Sequence, residues 1–307
     1  MTVTPGIAAP AVAAVAVIEA PGRIVAQWSR LPEPTDGEVL VRLEGCGVCA
    51  SSLPLWEGRP WFEYPLEPGA PGHEGWGVEV ETGRRVALLG LRSFAEYECV
   101  PCDLVVPLPT ELGEEPFPGE ALGCAMNVFA RSGVRPGDTV GLVGAGFLGL
   151  LLAQLCVGAG ARTLVFSRRE TGRRLARTVG AETPSEAQDE SCDVAIEAGG
   201  VQETLELAGR LCRVRGRLVL AGFHQDGRRS VDVQLWNWRG LDVVNAHERD
   251  PVIRLEGVRE AAAAVVDGRL DPAPLYTHTR PLVRLHEAFE LTRRRPEGFV
   301  KALVVMR

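Results

Sequence analysis

Residues 139–149, Thr-Val-Gly-Leu-Val-Gly-Ala-Gly-Phe-Leu-Gly, set a short β-like run against Gly144-x-Gly146-x-x-Gly149, and an apolar helical run from Leu150 to Val157 follows at once. Strand, glycine turn and helix in that order form the element that binds a dinucleotide. Gly144 allows a tight turn, Gly146 lets the backbone approach a pyrophosphate, and Gly149 lets the helix pack on the strand. The N–H groups where the helix begins, at Phe147 and Leu148, then face the phosphates. Glycines punctuate many turns, so the motif draws its weight from this context.

The chain has 307 residues, enough for two domains with substantial cores. Its net charge is −7 and it carries no long basic stripe, which argues against a nucleic-acid partner. The arginine clusters (Arg168-Arg169, Arg173-Arg174, Arg293 to Arg295) are short and suit solvated helix faces. Lys301 is the only lysine. No apolar run approaches the roughly 20 residues of a membrane span. The Ala- and Val-rich first dozen residues lack the basic region of a signal peptide, so a cytoplasmic protein is expected. The eight cysteines sit mostly in apolar strings such as Leu155-Cys156-Val157 and Leu211-Cys212, and read as small buried hydrophobes rather than a disulfide framework.

Residues 1–110 look β-rich, with Gly37–Leu43 strand-like and two short apolar runs within Ser93–Pro107. Ala121–Ser132 reads as a helix stopped by Gly133 and Pro136. Strands and helices then alternate: Thr139–Val143, Phe147–Gly158, Arg162–Phe166, Glu170–Val179, Asp193–Glu197, Glu203–Leu211, Arg217–Ala221 and Leu241–Asn245. Alternation at this spacing predicts βαβ units and a doubly wound parallel sheet. A helix over Val258–Val266, another near Leu285–Arg294 and a last strand, Phe299–Val305, complete the chain. The expected organisation is a dinucleotide-binding domain, 124–246, inserted into a catalytic domain made of 1–123 and 247–307. The active site is expected in the cleft between them, outside the carboxyl ends of the parallel strands.

Three pieces of the first half carry candidate metal ligands: Gly45-Cys46-Gly47-Val48-Cys49-Ala50-Ser51-Ser52, Pro71-Gly72-His73-Glu74-Gly75, and Gly119-Glu120-Ala121-Leu122-Gly123-Cys124. A thiolate, an imidazole and a carboxylate would leave a fourth tetrahedral position open, the pattern of a catalytic zinc site. Other readings stand beside it. His73 between Gly72 and Glu74 suits a capped turn, and Glu74 suits an ion-paired carboxylate. Cys46-x-x-Cys49 with Cys99-x-x-Cys102 could form a four-cysteine zinc site, although the 49 residues between the pairs far exceed the usual ribbon spacing of about 15–20.

With these motifs the chain resembles the medium-chain, zinc-dependent alcohol and polyol dehydrogenases, almost end to end. The resemblance is carried by Gly-Val-Cys49-x-Ser51, Gly-His73-Glu74-x-x-Gly77, Phe94-Ala-Glu-Tyr97, Glu120-x-Leu, Pro136-Gly137-Asp138 before the glycine motif, and Gly222-Phe-His after a late strand. It implies a Rossmann sheet inserted into a β-rich, GroES-like catalytic domain. It also implies one catalytic zinc per subunit on Cys49, His73 and Glu120. Glu74 would be a second carboxylate behind the metal or an exchanging ligand, and Ser51 would pass the substrate proton. Cys124 is a rival third ligand, since part of the family uses cysteine there, but Glu120 has the polyol-dehydrogenase spacing to Gly144. The chain departs from the family at Ser52, where Asp is usual, and at Ala121, where Pro is usual. The family's four-cysteine structural zinc lobe is missing, for only a few residues separate Arg85 from Phe94.

The strand that should carry an acid for the ribose 2′-hydroxyl ends Val165-Phe166-Ser167-Arg168-Arg169. A serine there spares a 2′-phosphate a repulsion on the order of 4 kcal/mol, and Arg168 can grip the phosphate through two nitrogens. NADP(H) is therefore favoured over NAD(H). Arg168 and Arg169 could instead be a solvated first turn, and nearby Glu170 could still serve a ribose. By the resemblance, Gly222 borders the cofactor and Lys301 reaches its pyrophosphate. The substrate pocket is expected from the aromatic loop (Trp56, Trp61, Phe62, Tyr64) and from Met126 and Asn127, although some of these aromatics could be core. Polar residues in His224-Gln225-Asp226, Trp236-Asn237-Trp238 and Asn245-Ala246-His247-Glu248-Arg249 could face the cleft or a second subunit, and a homodimer is expected. The sequence thus reads as a zinc-dependent oxidoreductase moving hydride between NADP(H) and an alcohol or carbonyl in a biosynthetic pathway. The alternatives are a zinc-free enone or quinone reductase of the same superfamily and a non-catalytic NADP-binding protein.

Overall fold

The computed structural model of the chain describes residues 10–225 and 227–306. They fall into two compact units. One holds the described residues of Met1–Gly123, Arg254–Val266 and Tyr276–Arg307; the other holds Cys124–Ile253 and Asp267–Leu275. Most of the alanine-rich opening stretch and Asp226 lie outside the described residues.

The first unit opens on a hairpin of β1 (Val12–Ala20) and β2 (Arg23–Arg30). Pro21-Gly22 makes the turn, with Gly22 at φ 70, a conformation open to glycine. Ala and Val fall on both faces of β1, so no alternating polar–apolar period marks it in the sequence. Next come β3 (Glu38–Val48), the short α1 (Leu53–Glu57), β4 (Gly75–Glu79), β5 (Arg85–Leu88), β6 (Tyr97–Pro101), β7 (Val105–Pro107) and α2 (Gly119–Ser132), the last of which runs on into the second unit.

The second unit alternates as its sequence does: β8 (Thr139–Val143), α3 (Phe147–Gly158), β9 (Arg162–Phe166), α4 (Glu170–Thr178), β10 (Cys192–Glu197), α5 (Gln202–Leu211), β11 (Cys212–Leu220), α6 (Val233–Arg239) and β12 (Asp242–Asn245). Its parallel sheet has the order β12-β11-β10-β8-β9, so the winding reverses between β8 and β10. That reversal opens a crevice at the carboxyl ends of these strands. A further strand beyond β9 is reduced to a single bridge, Leu164 to Glu182. Helix α6 was not expected from sequence; Asp232 caps it by accepting from Leu235 N at 2.9 Å.

The chain then forms α7 (Pro251–Val266), β13 (His278–Pro281), α8 (Leu285–Arg294) and β14 (Ala302–Val305). Helix α7 begins seven residues before the expected Val258, because Asp250 accepts from Val252 N at 2.9 Å and Pro251 takes the first helical position. Val252 and Ile253 are exposed and blur the apolar period there. In the first unit's sheet the order is β13-β14-β3-β4-β5-β7, with β6 paired to the outer half of β3. Its core packs Ile18, Val48, Trp56, Phe94, Phe289 and Val304 together. No helix among the described residues is long and apolar enough to cross a membrane.

In the second unit, Asp193 ties the start of β10 to the start of β8 by accepting from Thr139 N at 2.8 Å, and it also accepts from Arg213 Nε at 2.6 Å. The Thr139 N–H, then Arg213, hold its carboxyl below the usual value of 3.8. A depressed carboxyl contributes stability above its unfolded pKa and loses it as pH falls through the folded one. Asp193→Asn is therefore expected to lower thermal stability at pH 7, with the difference from wild type shrinking as pH falls below the ordinary carboxyl value of 3.8. Melting curves followed by circular dichroism across pH 2–7 measure this.

Candidate functional site

Cys49 and His73 are far apart in sequence, and sheet register brings them together. β3 and β4 are antiparallel with Cys46 opposite Gly75, so the residues after β3 face those before β4. Gly47 N donates to Glu74 O at 3.2 Å and continues the ladder one step beyond the strand. A bulge sets this register: Leu43 faces Gly77, but Gly45 faces Trp76. On the other side of β3, β14 pairs Ala302 with Val48, which places Lys301 beside the same strand end.

Here Cys49, His73 and Glu74 each present a ligand atom, all within 4.8 Å of one another, and among the described residues they are the one such group. The four-cysteine alternative is not assembled: Cys46 and Cys99 are buried, while Cys102 is exposed. His73 Nδ1 lies 2.9 Å from Pro71 O, a bond it can make only as donor, which turns Nε2 toward Ser51 Oγ at 3.5 Å. Ser51 Oγ donates to Cys49 Sγ at 3.1 Å. Ser52 is buried, with its hydroxyl 3.5 Å from Pro71 O. Burial alone would lower the His73 imidazole. Its hydrogen bond to Cys49 and the charges of Cys49, Glu120 and Glu74 outweigh burial and carry it up to about 10. The surroundings of His73 thus favour a positive charge, and sulfur, nitrogen and oxygen donors at this spacing fit a zinc ion.

Glu120, on the first turn of α2, is not in the group within 4.8 Å. Its carboxylate accepts from Arg254 Nη2 at 3.1 Å, while its charge still reaches His73. Glu74 is fully buried, with Lys301 Nζ 2.6 Å from Oε1 and 2.5 Å from Oε2. Burial acts to lower the Lys301 pKa, but Glu74 first, then Cys49, raise it above the usual value. Expected on a pyrophosphate, the Lys301 ammonium is buried against this carboxylate. The pair is packed closely: a Cβ on Gly47 would fall 1.8 Å from Glu74 Oε2.

Trp56, expected on a substrate wall, belongs to the core. It is 4% exposed, tilted against Phe289 at 5.5 Å, with Arg293 over its ring at 5.6 Å. The short α1 turns the indole inward, so the core reading of this aromatic is the correct one. Trp61 is exposed beside Phe62, and the Tyr64 hydroxyl donates to Leu55 O. Met126 and Asn127 are buried on α2, and Cys124 is half-buried there.

In the second unit the glycine motif has the shape its sequence implies. Gly144 has φ 109, and a Cβ on it would meet the Ala198 carbonyl carbon at 2.9 Å. A Cβ on Gly149 would fall 1.9 Å from Gly144 O, whereas one on Gly146 would meet no atom within 4 Å. Open space over Gly146 is what a pyrophosphate needs. Gly146 stands at the N-cap of α3 and makes no side-chain cap hydrogen bond there. At the end of β9, Ser167 Oγ accepts from Arg169 N at 3.2 Å, and Arg168 is exposed without an ion pair among the described residues. Glu170, the residue that could have served a ribose, holds Arg177 at 2.6 Å and Arg173 at 2.7 Å, which lower its pKa.

Sequence reading missed Glu197. Fully buried at the end of β10, it accepts from Gly199 N and Gly200 N at 2.7 Å and from Thr204 Oγ1 at 2.6 Å. His224 Nε2 lies 3.0 Å from its other oxygen, and Arg229 Nε donates to His224 Nδ1 at 3.0 Å. This carboxylate fastens the turn after β10 to the turn after β11, where Gly222 allows the approach: a Cβ there would fall 2.4 Å from Glu197 Oε2. The signal was available, since a carboxylate closing an otherwise apolar strand beside two glycines seldom stays unpaired. Asp226, part of the His224-Gln225-Asp226 segment, is outside the described residues.

Removing one partner of a buried pair strands the other charge. Lys301→Met is expected to destabilise the first unit by about 3–5 kcal/mol, and adding Glu74→Gln should recover most of that loss. Urea unfolding of the two single variants and the double variant measures the coupling.

No family model matches the chain. An alcohol dehydrogenase of Geobacillus stearothermophilus is 28% identical over 221 residues, covering 58% of this chain and 64% of that enzyme. A sorbitol dehydrogenase of Gallus gallus is 27% identical over 327 residues, covering 86% of this chain and 88% of that enzyme. Among solved structures, one described as a zinc-binding dehydrogenase of Sinorhizobium meliloti 1021 bound to NADP superposes with a TM-score of 0.81 at 27% identity, covering 96% of this chain and all of that one. With the inserted glycine-motif unit and the strand-end group of Cys49, His73 and Glu74, the chain is similar in sequence and fold to the medium-chain dehydrogenases.

Proposed function

We propose that this chain is a zinc-dependent oxidoreductase that moves a hydride between NADP(H) and an alcohol or carbonyl substrate. The coarse statement, an NAD(P)-dependent dehydrogenase acting on alcohols, follows from its relatives. The observation that carries the finer reading is the thiol, imidazole and carboxylate gathered within 4.8 Å. Cys49 and His73 would hold the ion. Of the two carboxylates, Glu74 stands with them already, and Glu120 would have to release Arg254 to join. A zinc ion there supplies Lewis acidity toward the substrate oxygen, and the dinucleotide supplies or accepts the hydride.

The chain's own groups do the rest. Pro71 O fixes the His73 tautomer and keeps Nε2 toward the site. The Ser51 hydroxyl, 3.1 Å from Cys49 Sγ, would take or give the proton that accompanies hydride transfer. The open space over Gly146, at the N-cap of α3, suits a pyrophosphate. Ser167, the exposed Arg168 and the arginine-bound Glu170 favour a 2′-phosphate over a bare ribose, hence NADP(H). That cofactor suits reduction in a biosynthetic pathway. Eight cysteines without a disulfide suit the cytoplasm. The exposed edge at Val243 offers a second copy a strand to pair with, in keeping with a homodimer. A zinc-free enone or quinone reductase, or a non-catalytic NADP-binding protein, has no use for the Cys49–His73–Glu74 group.

Metal analysis of purified protein should find about one zinc per chain. Cys49→Ser should abolish turnover and leave dinucleotide affinity within about twofold; surviving turnover would refute the zinc mechanism. Ser167→Asp should move preference from NADPH toward NADH in fluorescence titrations, and an unchanged preference would show that this strand end does not read the 2′ position.

A further inference from the structure

The connection from β5 to β6 is only the loop Leu89–Glu96, where the resembled family carries its structural zinc lobe. A single buried carboxylate organises that loop. Glu98, on β6 and 4% exposed, accepts through Oε1 from Leu91 N at 3.0 Å and Arg92 N at 2.9 Å, and through Oε2 from Ser93 Oγ at 2.5 Å. All three donors are neutral. A Cβ on Gly90 would fall 2.3 Å from Oε1, so the loop wraps the carboxylate closely. A desolvated carboxylate in no ion pair among the described residues is costly, and it is tolerated here because converging donors satisfy it.

The wrapped loop lies directly against the turn that carries His73 and Glu74. Ser93 is fully buried, and its N–H donates to Gly72 O at 2.9 Å. Phe94 N donates to Gly69 O at 3.0 Å. Downstream of the two ligands, a Cβ on Gly75 would fall 2.3 Å from Ser93 Oγ. Ser93 therefore touches the chain both before His73 and after Glu74. Glu98 is also opposite Val41 on β3, the strand whose far end presents Cys49.

We infer that Glu98 is a positioning residue: acting through Ser93, it fixes the Gly72–Gly75 turn so that His73 and Glu74 meet Cys49, the task of a staple in a segment too short for a metal-bound lobe. Through the metal this inference rests on the zinc reading above; through the backbone of the turn it does not. Both are measurable in one set of variants, Glu98→Ala, Ser93→Ala and Glu98→Gln.

In the metal-free protein, hydrogen–deuterium exchange of the peptide spanning residues 69–76 should speed up at least about tenfold in Glu98→Ala and Ser93→Ala. The peptides of 139–166 should be unchanged. Exchange at 69–76 within about twofold of wild type would overturn the inference whether or not zinc binds. In chelator competition, both alanine variants should hold zinc about 10–100-fold more weakly than wild type, the usual effect of losing a group that orients ligands. Glu98→Gln keeps an oxygen for the Leu91 and Arg92 N–H groups and should recover most of both effects. Wild type that takes up no zinc would refute the metal reading and leave the exchange result to decide this one. Wild type that binds zinc with Glu98→Ala binding it equally well would refute the positioning role alone. Ser93→Ala removes one hydroxyl and decides the question if Glu98→Ala does not fold.

Discussion

The pairing of Lys301 with Glu74 is possible only because β14, β3 and β4 stop at one level in the same sheet. A lysine and a glutamate 227 positions apart become neighbours there, and both lose water. Two buried charges at about 2.5 Å offset their desolvation only with close geometry. The absence of a side chain at Gly47 provides it, since any Cβ would occupy the carboxylate's place. The same strand ends aim Cys49 and His73, so the ion pair and the candidate metal group are consequences of one register.

That register also sets the site's electrostatics. Glu74 and Glu120 surround His73 with negative charge, and Lys301 and Arg254 each answer one carboxylate. The imidazole holds a proton up to about 10 in this setting, against the effect of its burial. A divalent cation would take over the role of that proton. Neither lysine nor arginine is among the ligand candidates; both hold carboxylates in place around them.

The second unit solves a different problem by similar means. Parallel strands β8, β10 and β11 deliver three turns to the same edge, each close to its neighbour through glycines at 144, 200 and 222. Backbone packed this tightly needs its N–H groups answered, and Glu197 answers two of them while holding Thr204 and His224. Buried carboxylates with converging donors thus recur as fasteners in both units, at Glu197 and at Glu98, where apolar packing alone could not fix a turn.

The alternating half of the chain was legible because its elements are local. β8, α3 and β9 have the bounds read from periodicity and glycine placement, and α8 matches as well. The glycine motif carries its own geometry within eleven residues. Cys49, His73 and both glutamates were visible as candidates because their residue types suit zinc. What sequence left undecided was which carboxylate stands with Cys49 and His73, where the lone lysine points, and whether Trp56 lines a wall or fills the core. Those outcomes depend on non-local pairing: a one-residue bulge between Leu43 and Gly45, the meeting of β14 with β3, and the packing of α1 under α8. A residue's chemistry is written in its side chain, but its partner is chosen by strand register, and register is settled only when distant segments bury their apolar faces together.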